Sequence, residues 1–355
     1  MPALLLTGAT GLLGGELVPR LLAARPDRRV MVLVRPGKSV PDVSVLAGDL
    51  RAPGLGLDAS QLAACERSLT EIVHCAAETR FDRPLEEARA LNVGGTANLL
   101  DLARRCRQLE KFAHLSTVYV AGRTAGQIPE ARLPRPACFS NTYQESKLEA
   151  EELVGEAARD VPAAIFRLSS IIGDSRTGEV RQFNYVHQLL KLFPRSPLPL
   201  APGEPEAPVD LIPSDWAIPA LAYLIESRFE PGRVYHLTAG PDRSLKVREL
   251  IELAIRAFES HPQGQRWLPI RVPRLVGLTE YEQFVEKSRR DGDRLLNELL
   301  RVLGLFLPHL GIHQAFENRR TTADLEGSGL EFPPLREAFA KVAAYCLETD
   351  WGRRR

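Results

Sequence analysis

Residues 7–14 read Thr7-Gly8-Ala9-Thr10-Gly11-Leu12-Leu13-Gly14, set between the apolar run Ala3-Leu4-Leu5-Leu6 and a helical pattern. A glycine-rich turn that leaves a strand and opens a helix is where a pyrophosphate is held. Gly8 permits the sharp turn, Gly11 lets the backbone come close to the phosphates, and Gly14 lets the helix lie on the strand, while the free N–H groups of the helix point at the anion. The placement predicts a dinucleotide site at the head of a parallel sheet. A second apolar run, Val30-Met31-Val32-Leu33-Val34, ends in Arg35, where the ribose is read. A carboxylate there favours NAD. A planar guanidinium pairs a 2′-phosphate instead, so the expected cofactor is NADP(H).

Downstream, apolar segments at 43–46, 72–77, 112–120 and 163–172 alternate with helical ones. That alternation predicts a parallel sheet covered on both faces, an α/β Rossmann doubly wound fold. Pro19 falls inside the first helix and predicts a kink. Residues 86–105 carry one apolar stripe of helical period, with Asn92 inside it either bonding to a neighbouring strand or facing solvent. Past Gly173 come a helical patch at 183–193, a proline-rich extended run at 194–213, a helix at 214–227, a strand at 234–238 and a helix at 244–258. Residues 278–307 and 333–347 read as helical. The expected division is a Rossmann core over 1–173 and a smaller, mainly helical C-terminal substrate lobe over 174–355, with segments near 209–240 returning to the core.

With 355 residues the chain has ample length for a large core, and a net charge of +1 argues against a nucleic-acid partner. Cys65, Cys75, Cys106, Cys138 and Cys346 are odd in number and never form a C-x-x-C pair, so neither a disulfide framework nor a metal site is expected. The first strand begins at once, and no run approaches the 18 or so apolar residues of a transmembrane helix. These features predict a cytoplasmic protein. The closing Gly352-Arg353-Arg354-Arg355 reads as a solvated end or a contact for an acidic surface, and nothing in the sequence fixes an oligomeric state.

The segment Thr142-Tyr143-Gln144-Glu145-Ser146-Lys147 opens a helix, with Thr142 and Glu145 matching a capping box, and places Tyr143 and Lys147 on one face. A phenol with a reference pKa of about 10 is drawn toward working range by a nearby ammonium. Upstream, Phe112-Ala113-His114-Leu115-Ser116-Thr117-Val118-Tyr119-Val120 reads as a strand ending beside the cofactor. Ser116 and Thr117 point to opposite faces. Thr117 is the candidate that joins Tyr143 in stabilising a substrate oxyanion during hydride transfer.

The glycine turn, Gly48-Asp49-Leu50, His74-Cys75-Ala76-Ala77-Glu78-Thr79, Asn92-Val93-Gly94-Gly95-Thr96, the Thr117 strand and Tyr143-x-x-x-Lys147 together resemble the extended short-chain dehydrogenase/reductase family over roughly residues 3–240. The resemblance implies Thr117, Tyr143 and Lys147 as the catalytic residues, with Lys147 also bonding the nicotinamide ribose. It implies a cofactor-binding set of Gly8, Thr10, Gly11, Leu12, Gly14, Arg35, Asp49, Leu50, Ala76, Ala77, Thr79, Asn92, Tyr143, Lys147, Leu168, Ser169, Ser170 and Ile171, and no metal.

Four segments are similar to the branch that reduces acyl thioesters, which includes fatty acyl-CoA reductases and terminal reductase domains of peptide synthetases: 74–82, 115–122, 173–178 and 209–216. The resemblance implies an NADPH-dependent reductase of an acyl thioester, bound to coenzyme A or a carrier protein, giving aldehyde and possible onward reduction to alcohol. The helix at 183–193 is expected either to line an acyl tunnel, with Leu189 as the trial wall position, or to pack in the core. Alternatives are a ketone or aldehyde reductase, a nucleotide-sugar epimerase or dehydratase, and a non-catalytic cofactor sensor. Arg35 speaks against the epimerase, and the intact Thr117, Tyr143 and Lys147 against the sensor.

Overall fold

The computed structural model describes residues 2–195, 198–292, 294–304 and 307–353, so Ser196 and Pro197 of the proline-rich run and the terminal Arg354 and Arg355 lie outside the described residues. Seven parallel strands form the central sheet: β1 (Ala3–Thr7), β2 (Arg29–Val34), β3 (Ser44–Ala47), β4 (Leu69–His74), β5 (Lys111–Thr117), β7 (Ala163–Leu168) and β12 (Val234–Leu237). Their order is β12-β7-β5-β4-β1-β2-β3. The chain winds outward from β1 to β3 and then crosses to β4, so the winding reverses between β1 and β4. In open α/β sheets a ligand binds at that reversal, outside the C-terminal strand ends.

Strands buried on both faces need apolar residues at nearly every position, and Leu4, Leu5 and Leu6 of β1 are fully buried. On one face, α1 (Leu12–Ala24) and α7 (Ser214–Ser227) bury Leu17, Leu21, Trp216 and Leu221 against the sheet. On the other, α4 (Gly94–Arg105) and α5 (Thr142–Ala157) bury Leu99, Leu102, Val154 and Ala157, beside α2 (Ala59–Ser68) and α3 (Leu85–Asn92). Residues 214–237 thus supply a layer helix and an edge strand to the sheet.

Shorter ribbons join the rest: β6 (Gly126–Ile128) with β15 (Gln314–Phe316), β8 (Ser170–Ile171) with β11 (Leu211–Ile212), β9 (Leu200–Pro202) with β14 (Arg274–Val276), and β10 (Pro208–Val209) with β13 (Leu245–Lys246). Over them lie α6 (Tyr185–Leu192), α8 (Val247–Ser260), α9 (Pro262–Gln265), α10 (Leu278–Asp291), α11 (Arg294–Leu303), α12 (Arg319–Leu325) and α13 (Leu335–Glu348). One apolar cluster packs α8 against α13, and a second gathers Leu189, Leu198, Val276, Tyr281, Leu300 and Leu307.

Helix α1 continues through Pro19, and local structure departs from the sequence reading at three places. The stripe at 86–105 is two helices, broken at Val93. The strand expected over 112–120 stops at Thr117, whose hydroxyl accepts the N–H of Tyr119 and turns residues 118–121 into a 3-10 helix. The cap of α5 is Asn141, not Thr142. The Asn141 side chain accepts the N–H of Gln144, the Gln144 amide oxygen accepts the N–H of Ser140, and the Thr142 hydroxyl donates to the carbonyl of Arg83. Leu189, the trial tunnel position, packs in the second lobe cluster.

Candidate active site

The turn between β1 and α1 shows which of its glycines the protein itself requires. Gly8 has a φ of +79°, and a Cβ there would lie 2.7 Å from the backbone N of Ala76. A Cβ on Gly14 would meet the Gly8 carbonyl oxygen at 2.3 Å, which fixes the approach of helix to turn. Gly11 differs. Its Cβ would touch only the Gly8 oxygen, at 3.4 Å, an ordinary contact, so the fold does not need glycine there. Gly11 and Thr10 are exposed, and no side chain caps the start of α1. An open face, a bare turn and uncapped helix N–H groups suit a pyrophosphate.

The neighbouring strand end is fixed by polar contacts. Thr7 Oγ1 bonds His74 Nδ1 at 2.8 Å and accepts the N–H of Ala76, while His74 Nε2 meets Thr96 Oγ1 at 3.0 Å. Burial pushes the His74 imidazole down to about 3, so it is neutral at pH 7. Asn92 is buried with its amide committed: its oxygen accepts the N–H of Glu78, and its NH₂ donates to the Glu78 carbonyl and to Ser146 Oγ. It therefore holds the 76–79 segment against α5. Leu50 is buried, and its carbonyl accepts Asn98. Arg35 is exposed at the end of β2, near Asp49, whose carboxylate pairs with Arg51 at 2.6 Å. The hydrogen bonds from Arg51 hold the Asp49 carboxyl below its usual range, with Arg35 adding a weaker pull.

At the end of β7, Leu168 is buried, and just beyond it Ser169 donates to the carbonyl of Asp210. The Ser170 hydroxyl meets the phenols of Tyr119 and Tyr185 at 2.8 and 3.0 Å. Ile171 is half-buried, as are Leu12, Ala76 and Ala77, and Thr79 is exposed.

Thr117, Tyr143 and Lys147 come together at the end of β5. The Thr117 hydroxyl faces the Tyr143 phenol closely enough to favour its ionised form, and Ser116, pointing the other way, has no side-chain partner among the described residues. Lys147 Nζ donates to the Leu115 carbonyl at 2.8 Å and to His114 Nε2 at 3.2 Å. Burial lowers the Lys147 ammonium to about 8, with Glu151 opposing that fall. Burial raises the Tyr143 phenol to about 12, the Thr117 hydroxyl opposing and Glu151 adding to the rise. The expected depression of the phenol by Lys147 is not found. One turn further along the same helical face, Glu151 pairs with the fully buried Arg167 of β7 at 2.7 Å.

Four residues that the sequence reading gave no role surround this group. The Phe81 ring stacks on Tyr143, with centroids 5.6 Å apart. Tyr119, Tyr185 and His309 lie within 4.8–6.0 Å of one another or of Phe81, and the phenols of Tyr119 and Tyr185 are 2.5 Å apart. Phe81 and Tyr119 sit inside segments that carried the family resemblance, so their neighbourhood was marked though their role was not. His309 gave no local signal.

The family model described as male sterility protein matches residues 6–42 and 38–221. A nonribosomal peptide synthetase of Aspergillus campestris is 28% identical over 302 residues, covering 75% of this chain and 29% of the synthetase. Fatty acyl-CoA reductase 1 of Xenopus laevis is 27% identical over 361 residues, covering 84% of this chain and 70% of the reductase. The chain thus spans less than a third of the first relative and more than two thirds of the second. Among solved structures, the terminal R domain from the myxalamid PKS-NRPS biosynthetic pathway superposes with a TM-score of 0.79 at 27% identity, over 99% of this chain and 92% of that domain.

Proposed function

Because the chain belongs to the family of the male sterility protein, in the extended short-chain dehydrogenase/reductase group, we propose that it is an NADPH-dependent reductase of an acyl thioester. The substrate is carried on coenzyme A or a carrier protein and leaves as the aldehyde. The observation that carries this reading is the meeting of Thr117 and Tyr143 at the C-terminal end of β5, with Lys147 anchored to Leu115 and His114 of that strand one turn further along α5. The relatives' names and the R-domain likeness support the thioester part. A cytoplasmic setting belongs to the same proposal; no helix among the described residues is long and apolar enough to cross a membrane.

NADPH, when bound, supplies a hydride to the carbonyl carbon. Tyr143, protonated through the neutral range, gives its proton to the developing oxyanion, and the Thr117 hydroxyl donates a hydrogen bond to it. Tyr143 then takes the proton back from the hemithioacetal hydroxyl as the C–S bond breaks, and the thiolate takes a proton from solvent. Lys147, held by Leu115 and His114, keeps a positive charge beside the phenol below about pH 8.

The test is simultaneous measurement of NADPH oxidation and free thiol across acyl-CoA and acyl-carrier thioesters. One thiol per NADPH in the first reductive step is expected, and the free acid is inert. Oxidation of NADPH by ketones or aldehydes with no thiol from any thioester would overturn the thioester reading.

The cofactor reading rests on Arg35. Arg35→Asp removes a guanidinium from the exposed end of β2 and puts a like charge opposite a 2′-phosphate. A hydrogen bond to a charged group contributes about 1.5–3 kcal/mol, so the NADPH/NADH ratio of kcat/KM should fall by roughly 10- to 100-fold. An unchanged ratio would show that the 2′-phosphate is read elsewhere.

A further inference from the structure

His309 reaches the site from the C-terminal lobe on a 3-10 turn, Leu307–Gly311. Side chains three apart on such a turn eclipse. Leu307 and Leu310 accordingly both pack in the lobe cluster, and His309 points away from it, into the rings of Phe81, Tyr119 and Tyr185.

Its two nitrogens lie over the first turn of α5, the turn that carries Tyr143. Nε2 is 3.4 Å from Asn141 Nδ2, and Nδ1 is 3.4 Å from Gln144 Nε2. The amide orientations are fixed by other bonds, since the Asn141 oxygen caps Gln144 and the Gln144 oxygen accepts Ser140. Both neighbours therefore present NH₂ groups. A neutral imidazole has one acceptor nitrogen and one N–H, so it can satisfy only one of these two donors and its own N–H faces a second donor. Burial, which holds this imidazole down at about 4, keeps it neutral at pH 7. The result is an imidazole N–H in a half-buried aromatic box beside the reacting group, facing no acceptor among these neighbours. An N–H that no protein acceptor engages gains a hydrogen bond when a ligand displaces solvent and brings an acceptor.

We propose that His309 is a specificity-determining residue that donates its N–H to an oxygen of the acyl group near the reacting carbonyl, selecting β-hydroxy or β-amido acyl thioesters over plain alkyl ones. The proposal rests on the thioester reading above.

The experiment compares kcat/KM for pairs of acyl-pantetheine thioesters of equal length, one with a β-oxygen and one without, in wild type, His309→Phe and His309→Gln. Phenylalanine keeps the ring and removes the donor; glutamine restores an N–H. The wild-type preference for the oxygenated partner is expected to be about tenfold, to fall to about one in His309→Phe and to return in part in His309→Gln. A wild-type ratio near one, a ratio unchanged in His309→Phe, or an equal loss on both partners would overturn the proposal.

Calorimetric binding of the matching β-oxygenated and plain alcohols to the protein with NADP⁺ gives the same ratio without turnover. If wild type reduces no thioester but its alcohol-binding ratio is about ten and collapses in His309→Phe, the thioester reading falls and the role of His309 stands. If thioesters are reduced with no such ratio, the reverse holds.

Discussion

Tyr143→Phe is expected to lower kcat by about 10²-fold or more while leaving NADPH affinity within about twofold, the loss typical of an oxyanion donor that also transfers a proton. The substitution is close to isosteric. The ring stays stacked on Phe81, and only the hydroxyl facing Thr117 is removed. Because burial holds the phenol near 12, it enters the reaction protonated, and the pH limit on the rate comes from Lys147. Its ammonium is present below about pH 8 and lost above it, so wild-type kcat should fall as pH rises through about 8. Single-turnover rates with deuterated NADPH establish whether hydride transfer is being observed. Wild-type turnover by Tyr143→Phe under those conditions would remove Tyr143 from the mechanism.

The sheet and the glycine turn were legible because their causes are local. Apolar runs of strand length, each followed by a helical stripe, leave few arrangements open; Gly14 is forced by a contact within its own turn, and Gly8 by its positive φ together with the backbone of Ala76 beyond β4. Boundaries were harder where a side chain intervened. Thr117 ends its strand by accepting the N–H of Tyr119, and Asn141 takes the capping role from its neighbour because Thr142 reaches Arg83 instead. The Tyr143 environment was misread for a different reason. Helical spacing put Lys147 on the right face, but the desolvation that raises the phenol arises from packing that no short stretch of sequence shows. His309 was invisible for the same cause at longer range, since it lies 166 residues beyond Tyr143 in the chain and only the folded lobe turns it toward Asn141 and Gln144.

The second large effect is expected at Glu151, where stability and catalysis share one helix face. Tyr143, Lys147 and Glu151 recur every fourth residue along α5, and Glu151 accepts two charged hydrogen bonds from Arg167 at 3.0 and 2.7 Å. Arg167 stands opposite Ser116 in the β5–β7 register, so the pair clamps α5 to the sheet beside Thr117. Glu151→Leu leaves a fully buried guanidinium with only the Ala131 carbonyl and the His236 ring, which burial keeps neutral at about 3. Leaving one charge of a buried pair uncompensated costs about 3–5 kcal/mol. The urea midpoint should fall accordingly, with the slope unchanged if unfolding remains two-state.

Adding Arg167→Met removes the stranded charge and should recover most of that loss, since buried pairs replaced by apolar residues of similar volume are often neutral in stability. Catalysis should not recover in step. Glu151 is a main influence favouring the Lys147 ammonium, so without it the pH above which kcat falls moves below about 8 even in the stable double variant. A double variant as unstable as Glu151→Leu would show that the pair acts through packing and not charge. A stable one with the wild-type pH limit would show that Lys147 is held in its charged form by His114 and the Leu115 carbonyl alone.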